Sequence, residues 1–470
     1  MIDPQRATLV EAAAALAQGA LSSEELTRDC LARAHRLNPA LNCFIRIEDE
    51  AALAAARRAD AARAAGRTLG PLHGVPVAVK DMFDDPGRET SSGSPIRRGF
   101  RGAATATALA RLEAAGAVVL GALHMSEFAL GPTGHNAFYG PCRNPWNPAH
   151  IAGGSSSGAG AAVAARLAFG ALGSDSGGSI RLPAAANGIL GLKPTYGRVP
   201  RSGAMPLSWS IDHIGPLARS AADLARLLGV VAGHDPRDPS ASRRPVPDYA
   251  AGLGSGVAGL TLGVPRGVFR DGVAAEVERA LEAALATLEA AGARRVAVTV
   301  PGAEHLAELG RVILYSEAAA LHGHWLRTRP EDYSPQVRAR LATGLAIPAA
   351  AYAEALQLRA PLLRRFCDAV FAACDVLVTP ALAIEVPTLA ATDVGSGASM
   401  WSTIAQLVRC LAPFNYLGVP ALSVPVGFTA NGLPVALQLV GRPFAEATLL
   451  GVAAAYQRLT GWHERLPPLH

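Results

Sequence analysis

Two clusters of glycine and serine in the middle of the chain hold the residues best suited to nucleophilic chemistry. The first runs from Gly153 to Gly158 (GGSSSG), and the second runs from Asp175 to Ser179 (DSGGS). A serine hydroxyl is a poor nucleophile at neutral pH and needs an adjacent base. Glycines leave backbone N–H groups free to converge on negative charge that develops on a carbonyl oxygen. These residue types are compatible with a serine nucleophile that acts on a carbonyl group.

The candidate base is one of only two lysines. Of the 43 basic residues, Lys80 and Lys193 are the only lysines, and all the others are arginines. Lysine can lose its proton when it is buried, whereas arginine cannot. Lys80 follows the apolar run from Gly74 to Val79, which predicts a buried strand, and burial lowers the pKa of a lysine. The alternative is that both lysines are chance survivors in an arginine-rich sequence; Lys193, which precedes Pro194, is predicted to belong to a structural turn.

Simpler interpretations of the two clusters fit less well. A phosphate loop requires GxxxxGK followed by serine or threonine, and a dinucleotide loop requires GxGxxG, but neither pattern is present. Residues 154–158 do match the GxSxG elbow of an α/β-hydrolase esterase, with Ser156 as its central serine. That elbow needs a strand directly before it, yet prolines interrupt the preceding residues at positions 141, 145 and 148. A flexible linker is the remaining alternative, but ordered-looking sequence follows each cluster.

Taken together, these segments resemble the amidase signature family. The resemblance covers residues 5–460, and the motifs that carry it are Gly74–Asp81, Gly153–Gly158, Asp175–Arg181, Gly191–Thr195 and Asp212–Pro216. It implies a Ser-Ser-Lys triad in which Ser179 is the nucleophile, Ser155 relays the proton and Lys80 is the base. It also implies a cis peptide bond between Gly154 and Ser155.

The resemblance assigns further roles to the second cluster. The backbone amides of Ser176, Gly177, Gly178 and Ser179 are expected to form an oxyanion hole. Asp175 and Arg181 flank the nucleophile, and we expect them to pair and support the loop. Ala152, Ser174 and Ser176 depart from the residues common in the family, which leaves substrate preference open.

The elements around these residues predict an α/β fold. Residues 1–66 are expected to form a helical lead-in, with a capping signal at Ser22–Glu25. Short apolar strands that alternate with helices, including a strand-helix-strand unit over 260–300, indicate a large mixed, partly parallel β-sheet covered by helices. The resemblance implies one amidase domain over residues 1–470, and the proline-rich stretch 234–250 is expected to be a surface excursion or linker.

Composition excludes several other classes of protein. Half of the 470 residues are apolar and 17% are charged, which indicates a large buried core. The net charge of +5 is modest and dispersed, so nucleic acid is not expected as a partner. The six cysteines show no metal-ligand spacing, and His322 and His324 have no evident third ligand, so neither a metal nor another cofactor is expected. No secretory signal or membrane span is recognisable, and we expect a cytoplasmic protein.

The leading hypothesis is hydrolysis of a small carboxamide to a carboxylate plus ammonia or an amine, through an acyl-enzyme on Ser179. The first alternative is the catalytic A subunit of a tRNA-dependent amidotransferase, which shares this fold and triad but works with partner subunits and ATP. The second is the GxSxG esterase, and a non-catalytic scaffold is a third. The expected partner is a small-molecule amide, and a homodimer stays open.

Overall fold

The computed structural model describes residues 3–67 and 69–469. In this part of the chain, eleven strands form one sheet. The strands are β1 (Phe44–Ile47), β2 (Pro76–Lys80), β3 (Val118–Leu123), β4 (Gly170–Asp175), β5 (Leu190–Lys193), β6 (His213–Ala218), β7 (Thr261–Pro265), β8 (Arg294–Val298), β9 (Val376–Pro380), β10 (Ala421–Phe428) and β11 (Pro434–Val440).

The sheet is mixed, as the sequence predicts. Its strand order is β1-β3-β2-β4-β6-β5-β10-β11-β9-β7-β8. Strand β2 runs parallel to both of its neighbours, β3 and β4, and β7 runs parallel to β8 and β9, while the other neighbours are antiparallel. Because β2 and β4 are parallel neighbours, their carboxyl ends meet at the same edge, which is where open α/β sheets place their chemistry.

Fifteen α-helices accompany the sheet in the described residues. They are α1 (Leu9–Gln18), α2 (Ser23–Leu41), α3 (Asp49–Ala64), α4 (Thr107–Ala114), α5 (Ser157–Ala164), α6 (Arg181–Asn187), α7 (Ala221–Val231), α8 (Ala275–Ala290), α9 (Ala303–Thr328), α10 (Pro335–Leu345), α11 (Ala349–Val370), α12 (Leu389–Thr392), α13 (Ala398–Val408), α14 (Pro413–Leu417) and α15 (Glu446–Leu459). None of these helices is both long enough and apolar enough to cross a membrane.

The predicted fold class is confirmed, with local corrections. The capping signal is present, since the Ser22 side chain accepts from the Glu25 N–H and the Glu25 carboxylate reaches back to the Ser22 N–H. The strand-helix-strand unit is β7-α8-β8. The lead-in is not entirely helical, however, because residues 44–47 form strand β1 on the edge of the sheet. Its four residues are too short to show a period of their own.

Residues 234–250 contain neither helix nor strand. They are nevertheless anchored to the body of the protein. The guanidinium of Arg111 donates to the carbonyls of Gly233 and His234 at 3.1 and 2.7 Å, and Asp238 accepts from the Arg201 N–H at 2.7 Å. These hydrogen bonds tie the stretch to the body of the protein, although most of its residues are exposed.

Candidate active site

Lys80 is the last residue of β2, and its side chain is fully buried. Its amine lies 2.7 Å from the Ser155 hydroxyl and 2.8 Å from the Ser174 hydroxyl. Burial lowers the pKa of Lys80 from its ordinary 10.5 to about 7, although Asp212 and Asp175 act in the opposite direction. The amine is therefore neutral in a large fraction of molecules at neutral pH, as a proton acceptor must be.

Ser174 is a second partner of Lys80 that the sequence did not reveal. It lies on β4, one residue before Asp175, and the parallel pairing of β2 with β4 brings it beside the lysine. The sequence marked Ser174 only as a departure from the family pattern. No pattern in the sequence identifies this contact, because it depends on the pairing of β2 with β4, which only the structure shows.

Ser155 lies in the loop before α5, and its side chain is buried. The Gly154–Ser155 peptide bond is cis, in agreement with the family resemblance. The loop packs tightly against the chain opposite it: a Cβ atom added at Gly154 would lie 2.5 Å from the Gly131 carbonyl oxygen and 2.9 Å from the Gly134 nitrogen. Only glycine fits at position 154, and this close packing fixes the position of the backbone that leads into Ser155.

Ser179 lies beyond β4, in the turn that leads into α6, and its side chain is partly exposed on the wall of a cavity. The two serine clusters touch directly, since the Ser156 N–H donates to the Ser179 carbonyl at 3.3 Å. Among the described residues, no hydrogen bond joins the Ser155 and Ser179 hydroxyls. The expectation that Ser155 contacts both Lys80 and Ser179 is therefore met only on the lysine side.

Three of the four amides expected in the oxyanion hole are free to bind a ligand. Within the part of the chain that the structure describes, the N–H groups of Ser176, Gly177 and Ser179 donate to no protein acceptor. Gly178 is a correction, because its N–H donates to the Asp175 carboxylate at 2.7 Å. That carboxylate lies beneath the loop and also accepts from the Ile180 N–H at 3.1 Å. In this structure Gly178 therefore shapes the loop instead of presenting a donor.

Asp175 and Arg181 form a fully buried ion pair below the nucleophile loop. Two nitrogens of the guanidinium contact the two carboxylate oxygens, each at 3.0 Å. The remaining donors of Arg181 reach the side chains of Asn415 and Gln438, both at 2.6 Å, and Asn415 also donates to Asp175 at 2.8 Å. Burial alone would raise the pKa of Asp175, but the Arg181 guanidinium outweighs it and holds that pKa well below its usual range. The charged pair is thus satisfied by hydrogen bonds with side chains of helix α14 and strand β11, and it braces the loop.

Asp212 holds the other side of the same loop. It accepts from the Ser176 hydroxyl at 2.5 Å and from the N–H groups of Leu207 and Ser208 at 2.8 and 2.9 Å. Burial raises the pKa of Asp212, while these hydrogen bonds oppose that shift. The sequence singled out Asp212 only as part of a motif, and its contact with Ser176 shows what that motif does.

The cavity beside Ser179 has a volume of about 590 Å³. It is lined by the loop of Ser176, Gly177, Gly178 and Ser179, by the segment from Ala129 to Pro132, and by residues of helices α9 and α13. A cavity of this size is typical of a site for a small organic ligand.

The geometry of an esterase elbow is not found at the first cluster. Within the described residues, no strand leads into residues 154–158, which follow an irregular loop that begins at Gly131. Ser156, which would be the nucleophile, is fully buried, and its hydroxyl donates to the Ser174 carbonyl at 3.1 Å and accepts from the Ser174 N–H at 3.2 Å. Ser156 therefore ties the loop to β4 and does not reach the cavity.

The second lysine and the paired histidines lie away from the cavity. Lys193 ends strand β5 rather than forming a turn of its own; it is fully buried and donates to the Val419 carbonyl. The His322 ring lies 2.8 Å from the Tyr333 hydroxyl inside an aromatic cluster. The described residues contain no group of three or more potential ligands that could hold a metal ion.

Comparison with known proteins places these features in a family context. The family model Amidase matches residues 25–450. The chain is 43% identical to the A subunit of the glutamyl-tRNA(Gln) amidotransferase of Chloroflexus aurantiacus (strain ATCC 29366 / DSM 635 / J-10-fl), and the match covers 100% of both chains.

Solved structures give the same picture. A chain from an unexpected vestigial protein complex, which reveals the evolutionary origins of an s-triazine catabolic enzyme, has a TM-score of 0.89 and 37% identity, covering 96% of this chain and 98% of that one. The native peptide amidase from Stenotrophomonas maltophilia has a TM-score of 0.84 and 32% identity, with 98% of each chain covered.

Proposed function

This chain belongs to the amidase family, and we propose that it cleaves a carboxamide carbon–nitrogen bond with Ser179 as the nucleophile, Ser155 as the proton relay and Lys80 as the base. Hydrolysis of amide bonds is the chemistry of the family. The observation that carries the residue assignment is the 2.7 Å contact between the Lys80 amine and the Ser155 hydroxyl in a fully buried setting.

The first step in this proposal transfers two protons and forms one bond. Neutral Lys80 takes the Ser155 proton, Ser155 takes the Ser179 proton, and the Ser179 oxygen attacks the amide carbonyl carbon. Rotation of the partly exposed Ser179 side chain brings its hydroxyl to Ser155 when substrate is bound, since catalytic hydrogen bonds are often loose in the free enzyme. The negative charge on the carbonyl oxygen is then held by the free N–H groups of Ser176, Gly177 and Ser179.

The second step expels the nitrogen. Lys80 returns its proton through Ser155 to the departing nitrogen, the carbon–nitrogen bond breaks, and an ester on Ser179 remains. Water then attacks this acyl-enzyme by the same relay, which releases the carboxylate and restores the serine. Every step uses only the side chains and backbone N–H groups named above, the substrate and water.

A screen of purified protein against a set of carboxamides tests this proposal, with released ammonia or amine as the readout. Wild type is expected to hydrolyse at least one amide, and Ser179→Ala is expected to hydrolyse none. Equal activity in the two proteins would contradict the assignment of Ser179.

A second candidate is the catalytic A subunit of a tRNA-dependent amidotransferase, which would use the same triad to release ammonia for a partner. The curated relatives favour it over a stand-alone hydrolase, because proteins of that name match this chain over its full length. Affinity purification of the chain from its native cells distinguishes the two. Stoichiometric partner subunits are expected for an amidotransferase, and none for a stand-alone enzyme.

A further inference from the structure

The cavity beside Ser179 has a predominantly apolar outer wall. Helix α9 contributes Ala307 and Leu314, and helix α13 contributes Trp401, Ile404 and Val408. Each of these five side chains is partly exposed, in contrast to the many apolar residues that the sheet and helices bury completely. These side chains expose apolar surface to water beside the proposed nucleophile. An apolar ligand that covered this surface would be bound favourably.

Trp401 is the largest side chain in this wall. Its ring meets the Tyr315 ring edge-on, with 5.5 Å between centroids and 88° between planes. Arg311 stands 5.9 Å from the Trp401 centroid. The indole therefore packs against Tyr315 and Arg311 and leaves part of its surface exposed on the cavity wall.

The charged residues that line the cavity are Glu304, Glu308, Arg311, Arg340 and Arg409, and the Arg409 guanidinium donates to the Asp271 carbonyl at 2.8 Å. Glu304 and Glu308 are both exposed, and Glu308 pairs with Arg311 at the rim. Arg340 is buried but donates to the Leu130 carbonyl at 2.8 Å and to the Tyr315 hydroxyl at 2.8 and 3.0 Å. An amino-acid amide such as glutamine carries both an ammonium and a carboxylate, and each needs a buried partner of opposite charge. The two carboxylates bordering the cavity offer its ammonium only solvated contacts.

From this wall we infer that the substrate is a carboxamide with a bulky apolar, aromatic substituent, which packs on Trp401 and Leu314 while its carbonyl lies over Ser179. The inference rests on the proposed amide cleavage by Ser179. The aromatic substituent can lie on the acyl side or on the amine side of the amide.

A comparison of four amides tests the inference and separates these two sources. Purified full-length protein is assayed with acetamide, glutamine, phenylacetamide (ring on the acyl side) and acetanilide (ring on the amine side), with the carboxylate product quantified. We expect kcat/KM for one of the aromatic amides to exceed that for acetamide by about tenfold or more, since enclosing a ring contributes at least that much. The preferred aromatic amide shows whether the acyl substituent or the amine substituent packs against the wall.

Two results would overturn different claims. Hydrolysis of acetamide or glutamine at a kcat/KM equal to that of both aromatic amides would overturn the inference and leave the amide cleavage intact. Hydrolysis of none of the four by a protein that cleaves another, non-aromatic carboxamide in the screen would overturn the inference alone, whereas no hydrolysis in the screen either would contradict the proposed function.

Variants of Trp401 test the wall itself. Trp401→Ala is expected to lower kcat/KM for the preferred aromatic amide about tenfold more than kcat/KM for acetamide, while Trp401→Phe restores most of the difference. Leu345→Ala is the matched control, because Leu345 is 65% exposed and does not line the cavity. An equal loss on both substrates in Trp401→Ala would show a structural role only and would overturn the inference.

Discussion

The Lys80 amine and the Ser155 hydroxyl are 2.7 Å apart, although 75 residues separate them in the chain, and neither side chain is exposed to solvent. The contact exists because Lys80 ends strand β2 and the tightly packed loop before α5 places Ser155 above that end. A lysine held in this way has a pKa near 7, and its proton affinity is tuned by burial.

Replacing the lysine by arginine should be nearly as damaging as removing it. We expect Lys80→Arg and Lys80→Ala each to lower kcat by about a thousandfold or more, because arginine keeps the charge but cannot accept a proton. Amide hydrolysis and circular dichroism measure activity and folding separately. Turnover of a folded Lys80→Arg protein near the wild-type rate would contradict the role of base.

The shifted pKa also predicts how stability depends on pH. Between pH 7 and 10.5 the unfolded chain protonates Lys80 while the folded chain leaves it neutral, so the unfolded state binds more protons and stability rises with pH. The free energy of unfolding of wild type, relative to Lys80→Met, should therefore increase by about 1.4 kcal/mol per pH unit in this window. Urea unfolding at pH 7.5, 8.5 and 9.5 measures the difference. Parallel curves for the two proteins would show that Lys80 is not shifted.

Ser174 should matter because it is the second acceptor of the lysine. We expect Ser174→Ala to lower kcat about tenfold, since one hydrogen bond that orients the amine is lost. Ser174→Thr keeps the hydroxyl and should retain most of the activity. Full activity in Ser174→Ala would mean that Ser155 alone positions Lys80.

The buried pair below the loop should contribute to both folding and activity. Asp175→Asn leaves the Arg181 guanidinium without its counter-charge, and we expect a loss of about 3–5 kcal/mol of stability together with most of the activity. Arg338→Ala is the control, because it removes an ion pair to the exposed Glu331 and should cost less than about 1 kcal/mol. Thermal or denaturant unfolding of the two variants gives the comparison. Similar small losses in both would remove the argument that the pair braces the loop.

Much of the fold was predictable from local patterns. The run Gly74–Val79 predicts a buried strand because it is short, apolar and rich in valine, and β2 covers residues 76–80. Strand β4 was missed because Gly170–Asp175 contains two glycines, a serine and an aspartate, which are poor strand formers outside a fully buried setting. Tertiary burial on both faces makes that segment a strand.

Some residues of the candidate site were likewise predictable from the sequence, and others were not. The resemblance to the amidase signature family led to Lys80, Ser155 and Ser179, because the motifs that carry it are visible in the sequence itself. The contacts of Ser174 and Asp212 depend on which strands and loops are neighbours, and no spacing encodes that. The Gly178 N–H was misassigned for a related reason, since only the folded loop reveals that the Asp175 carboxylate accepts its hydrogen bond.

Covalent labelling of Ser179 by phenylmethylsulfonyl fluoride, followed by mass spectrometry from pH 5 to pH 9, tests the central claim without any knowledge of the substrate. The reagent requires an activated serine, so its rate reports whether the base is neutral. We predict one adduct, on Ser179, formed at a rate that rises with pH through a midpoint near 7, and no such rise in Lys80→Arg. An adduct on Ser156, or a Ser179 labelling rate that is independent of pH and unchanged in Lys80→Arg, would contradict the account.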